Sequence, residues 1–252
     1  MCRLFAWHSN EEISLAQALG KDFSTFTELS NLHRDGWGMA IKNLGEIEVE
    51  RDVNAAIDSS LYASASANLV STDAITHLRW ATENISVCIP NTHPFIKQGP
   101  NGPVAFCHNG GVARGAQLTS LIADDLLAEL EGDTDSEQYF AALVTKLRES
   151  NGDFVAAYKE LVKDLAPIHY TSVNALILTP DELVIVCQHK PENLSSDLEA
   201  DYYELFWQTT NGVTSAWSSG VRSDSNNFHA LENGSLLHID TNTGIVTTHE
   251  IR

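Results

Sequence analysis

Apolar residues recur in short runs bounded by turn residues at both ends of the chain, and at helical spacing in the middle. Short apolar runs suit buried strands, and a spacing of three and four suits one face of a helix. Strands are expected over 2–8, 36–41 and 46–51, the last two joined as a hairpin near Asn43-Leu44-Gly45, and over 74–80 and 104–108. Ser9 or Asn10 is placed to cap a short helix through Gly20, and 55–69 reads as another helix. Leu118, Leu121, Ile122, Leu126 and Leu130 keep one helical face, and Phe140, Leu143, Val144 and Leu147 keep a second. Thr134 with Glu137 predicts a capping box where that second helix starts. Strands return over 173–178, 183–188, 202–209, 213–217, 235–240 and 245–250. Strands, then helices, then strands predict an α+β fold of layered sheets with helices outside.

A chain of 252 residues buries about 70–75% of its unfolded surface, so its core needs no cross-links. With 43% hydrophobic and 19% charged residues it is neither disordered nor fibrous. Its net charge of −19 repels phosphate backbones and anionic membrane surfaces, so neither nucleic acid nor membrane is an expected partner. No apolar run approaches the ~20 residues of a spanning helix, and residues 1–8 lack a signal-peptide core. Cys2, Cys88, Cys107 and Cys187 lie far apart without a C-x-x-C pair, which fits neither a disulfide framework nor a zinc ribbon. The expectation is a reduced, cytoplasmic protein.

Several positions could carry chemistry. Cys2 follows the initiator methionine, and its small side chain favours removal of Met1. A free α-amine ionises near about 7.7–8.0, so an N-terminal cysteine has a base for its own thiol. Position alone also suits a buried strand cysteine. Arg79, within Thr76-His77-Leu78-Arg79-Trp80-Ala81-Thr82, is costly to bury without an anion. Its planar fork suits a carboxylate, whether from a substrate or from a structural salt bridge. Asn91-Thr92-His93-Pro94-Phe95 is a loop of ordinary composition. Asn109-Gly110 ends an apolar run, where an amide beside an open backbone N–H forms either an oxyanion hole or a plain turn. Asp135 falls in a first helical turn, which favours a carboxylate by itself and could also present it to a substrate ammonium. His77, His93 and His108 lack helical zinc-site spacing and a carboxylate to join them, so no catalytic metal is expected.

In chain order, Met1-Cys2, Asp35-Gly36-Trp37-Gly38, His77-Leu78-Arg79-Trp80-Ala81-Thr82, Asn91-Thr92-His93-Pro94-Phe95, His108-Asn109-Gly110 and Thr134-Asp135-Ser136-Glu137 resemble the class II glutamine amidotransferase domain of the N-terminal nucleophile hydrolase superfamily. The match covers 2–137; the later strands carry no sharp motif. The resemblance implies a four-layer αββα sandwich of two antiparallel sheets between helical layers, as a single domain over 2–252. It implies Cys2 as nucleophile, with the Asn109 side chain and the Gly110 N–H as oxyanion hole. Arg79 is then the α-carboxylate ligand with Thr82 as helper, Trp80 forms a pocket wall, and Asp135 is the α-ammonium ligand. His93 lies in the pocket motif without a chemical step. No cofactor is implied.

The implied substrate is glutamine or a γ-glutamyl amide, and the implied enzyme is a stand-alone amidohydrolase, because only 138–252 follows the last motif and no P-loop appears. Two alternatives stay open: a glutaminase subunit that hands ammonia to a separate synthase, and a γ-glutamyl hydrolase like those of ergothioneine synthesis, which share the Met-Cys-Arg opening and Asp-Gly-Trp-Gly. A catalytically silent binding module fits poorly with an intact Cys2, Arg79, Asn109 and Asp135. The bile-salt and penicillin amidase branch also opens Met-Cys but leaves Arg79, Asn109-Gly110 and Asp135 unexplained.

Overall fold

The structure is a computed structural model and describes residues 2–82, 84–222 and 228–252. In chain order its elements are β1 (Arg3–Ser14), α1 (Leu15–Leu19), α2 (Phe23–Glu28), β2 (Trp37–Asn43), β3 (Glu46–Asp52), α3 (Ser60–Asn68), β4 (Val70–Leu78), β5 (Phe95–Gly99) and β6 (Gly102–Val112). There follow α4 (Ala116–Thr119), α5 (Asp124–Ala128), α6 (Asp135–Glu149), α7 (Phe154–Leu165), β7 (Tyr170–Leu178) and β8 (Glu182–Cys187). The chain closes with β9 (Leu205–Thr210), β10 (Val213–Ser218), β11 (His229–Leu231), β12 (Ser235–Asp240) and β13 (Val246–Glu250).

The strands form a seven-stranded sheet, β11-β9-β10-β1-β4-β2-β3, and a six-stranded sheet, β13-β12-β8-β7-β6-β5. All their pairings are antiparallel. Side chains alternate across a strand, and the burial follows that alternation. Leu4, Ala6, Ala40 and Ile75 of the first sheet meet Ala105, Cys107, Leu176, Leu178 and Ile185 of the second in one buried layer. The outer face of the first sheet, with Phe5, Trp7, Trp37 and Met39, is covered by Leu15 and Leu19 of α1, Phe26 of α2 and Tyr62 of α3. The outer face of the second, with Phe106, Ala175 and Ile177, is covered by Phe140, Leu143, Tyr158 and Leu161 of α6 and α7. The result is the αββα sandwich.

Several local expectations are corrected. Neither Ser9 nor Asn10 caps a helix: β1 continues past a register shift to pair Ile13 with Ser71 and Ser14 with Val70. Ser14 is the cap, in a capping box with Gln17. The 118–130 face is split into α4 and α5, because the N–H of Ala123 leaves the helical pattern to donate to Thr145 Oγ1 on α6, 3.0 Å away. Leu118, Ile122 and Leu126 are nevertheless buried in one core. The 55–69 helix is interrupted at Ser59, whose extended backbone places its hydroxyl on the N–H of Tyr62. The capping box of α6 is only half formed. Thr134 accepts from the N–H of Glu137, but the Glu137 carboxylate accepts from Glu131 and Gly132 instead. The strand expected over 74–80 ends at Leu78, which leaves Arg79 and Trp80 in the connection that follows. β9 starts at Leu205, not at Tyr202. The helices α2 and α7 and the strands β5 and β11 were not anticipated.

Candidate active site

The same alternation assembles the site. In β1, Leu4 and Ala6 face the layer between the sheets, so Cys2, two residues earlier, falls on that side at the sandwich's end. In β6, Ala105 and Cys107 face it, and so does Asn109. In β4, Ile75 faces it, and so does His77. The Cys2 backbone nitrogen donates to Asn109 Oδ1 at 2.9 Å. That nitrogen is a peptide amide while Met1 is attached and becomes the α-amine once Met1 is removed. Asn109 is fully buried, and among the described residues its Nδ2 has no hydrogen-bond partner. A buried amide donor left unpaired costs about 1–3 kcal/mol, so the site holds a donor waiting for an acceptor. The carbonyl of Cys2 is held by Arg3 Nη1 at 3.1 Å and by the Tyr202 hydroxyl at 3.3 Å.

Gly110 follows on the opposite face of β6, where β7 comes too close for any side chain. A Cβ there would lie 1.9 Å from the Ser172 carbonyl oxygen. The neighbouring His108 donates or accepts at Ser136 Oγ (2.9 Å) and contacts the Ser172 carbonyl oxygen (3.0 Å), which ties β6 to α6 and β7.

Cys2 is set apart electrostatically from the other inward-facing thiols. Burial opposes its ionisation, but His77, the chain's positive N-terminus and the Trp80 backbone outweigh it and bring its pKa down to about 6. For Cys107 and Cys187 burial dominates, pushing the former well up and the latter to about 12. His77 Nε2 lies 3.1 Å from the His108 carbonyl oxygen. The His93 ring packs against His77 at a 34° tilt, with ring centroids 4.2 Å apart. Burial first, and the positive charges of its neighbours after it, hold His93 well below the usual imidazole range, so it is neutral at pH 7.

Arg79 and Asp135 bring opposite charges to the same small cavity, which Cys2, Trp80, Thr82, Ile85, Asn91, His93, Gly110 and Ser136 also line. Arg79 is 4% exposed. Among the described residues its guanidinium donates only to backbone carbonyls, Asp35 O at 3.2 Å and Ser86 O at 3.3 Å. Asp135 Oδ2 accepts from the Val112 N–H at 2.7 Å, at the register shift that ends β6. Among the described residues neither charge has an ion-pair partner. Asp35, from the Asp35-Gly36-Trp37-Gly38 motif, holds the loop after Arg79 by accepting from the Ala81 N–H at 2.8 Å.

Every site residue named from the sequence therefore converges: Cys2, Arg79, Trp80, Thr82, His93, Gly110 and Asp135 line the cavity, and Asn109 sits behind it on the Cys2 nitrogen. Sequence reasoning missed His77 as the neighbour of the thiol, Tyr202 on the Cys2 carbonyl, and the place of Asn91. The two-residue period from Ile75 to His77 was the available signal for the first. Nothing local marks Tyr202, which lies 200 positions from Cys2.

The family model for glutamine amidotransferases class-II matches residues 1–196. A Haemophilus influenzae protein whose name assigns it provisionally as a glutamine amidotransferase is 29% identical over 173 residues, 66% of this chain and 56% of that protein. The glutamine–fructose-6-phosphate aminotransferase of Chlamydia abortus is 27% identical over 131 residues, 52% of this chain and 20% of that enzyme. The chain thus spans between 20% and 56% of the length of the curated relatives it matches. Among solved structures, a glutamine aminotransferase class-II domain protein from Silicibacter pomeroyi superposes with a TM-score of 0.66 at 19% identity, covering 99% of both chains. The glutamine PRPP amidotransferase of B. subtilis superposes with a TM-score of 0.67 at 17% identity, over 100% of this chain and 49% of that one. These two likenesses show the shared fold. Matched by the family model over residues 1–196 of its 252, the chain belongs to the class II glutamine amidotransferases.

Proposed function

We propose that the chain hydrolyses the γ-amide of glutamine or of a γ-glutamyl compound, with Cys2 as nucleophile after removal of Met1. The observation that carries this reading is the Asn109 amide. Its Oδ1 takes the Cys2 nitrogen at 2.9 Å, and its buried Nδ2 is unpaired. A donor on the side chain that anchors the Cys2 nitrogen, with no acceptor of its own among the described residues, is what a developing oxyanion needs.

In the proposed reaction the Cys2 α-amine already holds the thiol proton, and sulfur attacks the γ-carbon as the thiolate. The carbonyl oxygen, now negative, is stabilised by Asn109 Nδ2 and the Gly110 N–H. The tetrahedral intermediate collapses, the α-ammonium returns the proton, and ammonia or an amine leaves. Water then attacks the γ-glutamyl thioester by the reverse proton path and releases glutamate and the thiol. Arg79 receives the α-carboxylate and Asp135 the α-ammonium, so the amino-acid zwitterion supplies the countercharge that each lacks. Thr82 and Trp80 complete the pocket wall beside Arg79, and His93 packs neutral beneath it.

Release of ammonia from glutamine, or of an amine from a γ-glutamyl anilide, tests the reading. The wild type is expected to turn over at least one of the two, and Cys2→Ala to turn over neither while keeping its fold. A Cys2→Ala protein as active as wild type would contradict it.

A second reading, that the released ammonia goes to a synthase, is favoured by the relatives. The matched region is 49% of the PRPP amidotransferase chain and 20% of the glutamine–fructose-6-phosphate aminotransferase. A protein partner that raises ammonia release several-fold would support it.

A further inference from the structure

Arg79 and Asp135 sit on different elements. Arg79 follows β4 on a loop, and Asp135 begins α6, 56 positions later in the numbering. If they grip the two ends of one amino-acid head group, something must fix their separation. Among the described residues no hydrogen bond, ion pair or strand pairing joins their segments directly. One buried side chain does.

Asn91 is 2% exposed, and its whole amide is spent on the two segments. Its Nδ2 donates to the Ser86 carbonyl oxygen at 3.0 Å, and that same oxygen accepts from Arg79 Nη2 at 3.3 Å. Nδ2 also donates to Asp133 Oδ1 at 2.6 Å, while Asn91 Oδ1 accepts from the Asp133 N–H at 3.0 Å. Asp133 lies two residues before Asp135 and is separated from it by the helix cap Thr134. The chain of contacts runs from the Arg79 guanidinium through Ser86 O and the Asn91 amide to Asp133, and so to Asp135. Next to it, Gly132 has no room for a side chain. A Cβ there would lie 2.3 Å from Asn91 Oδ1 and 2.8 Å from the Pro90 carbonyl oxygen.

We propose that Asn91 is a positioning residue that sets the distance between the Arg79 guanidinium and the Asp135 carboxylate, and so makes the pocket selective for a free α-amino-acid head group. This rests on the proposed function, because the head group is what the two charges are spaced to hold. An amide is the side chain that fits. It offers donors to two oxygens and an acceptor to one N–H at once, whereas aspartate would face Asp133 and Ser86 O with oxygens only. Loosening this strut leaves the thiol, Asn109 and His77 where they are, since among the described residues none of them hydrogen-bonds to Asn91.

The test compares two reactions at Cys2 in the full chain. Iodoacetamide needs only the thiolate. A diazo-ketone analogue of glutamine also needs the head-group clamp, and its N-acetyl derivative, which lacks the α-ammonium, does not satisfy it. For Asn91→Ala we expect unchanged iodoacetamide alkylation and an unchanged maximal inactivation rate by the diazo-ketone. The analogue's half-saturating concentration should rise about ten-fold or more, the size expected for a charge-assisted contact set out of place. The preference for the free over the N-acetylated analogue should shrink by a similar factor. Gly132→Ala, which displaces Asn91 without removing a pocket group, should give the same signature and serves if Asn91→Ala fails to fold. A folded variant with wild-type half-saturation and wild-type preference would overturn the proposal. So would a loss of both reactions together in folded protein, since that marks a general supporting role. Wild-type protein that reacts with iodoacetamide but not with the diazo-ketone would instead overturn the proposed function, and the strut inference with it.

Discussion

At the scale of the single residue, the site is a set of groups whose ordinary partners are missing. Asn109 Nδ2 has no acceptor, and neither Arg79 nor Asp135 has a countercharge among the described residues. Removing one oxyanion donor costs about 10²–10³ in rate. Asn109→Ala is therefore expected to keep its melting temperature within a few degrees and lose that much turnover in an ammonia-release assay. The thiol itself should titrate early. Thiolate is the reactive form, and a pKa of about 6 means that it is populated throughout pH 7–8 and lost as pH falls through 6. Iodoacetamide alkylation of Cys2 should fall about ten-fold per unit below that point. In His77→Gln the main influence that lowers the thiol is gone, so the midpoint should move up; peptide mapping at a series of pH values measures both. Cys2, Arg79, Asn109 and Asp135 each kept a bland alternative when read singly, and were picked out in the sequence by the order of motifs that resembles the family. Asn91, His77 and Tyr202 were not, because what matters about them is a contact across 42, 75 and 200 positions.

At the scale of the element, strands β1, β4 and β6 deliver the site by alternation alone, which is why strand parity read from Leu4, Ile75 and Ala105 places Cys2, His77 and Asn109 together. The helices were less legible. Their apolar spacing was right for the residues it buried, yet the breaks at Ala123 and Ser59 come from side-chain hydroxyls that take backbone N–H groups, and periodicity carries no trace of these. Gly110 reads from sequence as a turn residue or an oxyanion donor. In the structure it is first a packing requirement, because a Cβ would lie 1.9 Å from the Ser172 carbonyl oxygen and the strands would have to part. Gly110→Ala should destabilise the protein by about 2 kcal/mol or more, visible as a lower urea midpoint, where Asn109→Ala is nearly neutral. Equal midpoints for the two would contradict that assignment.

At the scale of the whole molecule, two sheets with a shared apolar layer and a helical cover on each outer face leave the site at one end of that layer, gripped by both sheets. The formal charge of −19 is spread over this scaffold and repels itself. Raising salt from low ionic strength to about 0.15 M shortens the screening length to about 8 Å, so the melting temperature should rise over that range. A fall would mean that specific ion pairs outweigh the net repulsion. Among the described residues no helix is long and apolar enough to cross a membrane.

The most direct test of the central claim is the intact mass and peptide map of the purified chain after incubation with the diazo-ketone glutamine analogue. The expected product lacks Met1 and carries one adduct, on Cys2, with free glutamine protecting against it. A folded chain lacking Met1 whose Cys2 takes iodoacetamide but never the glutamine analogue would contradict it.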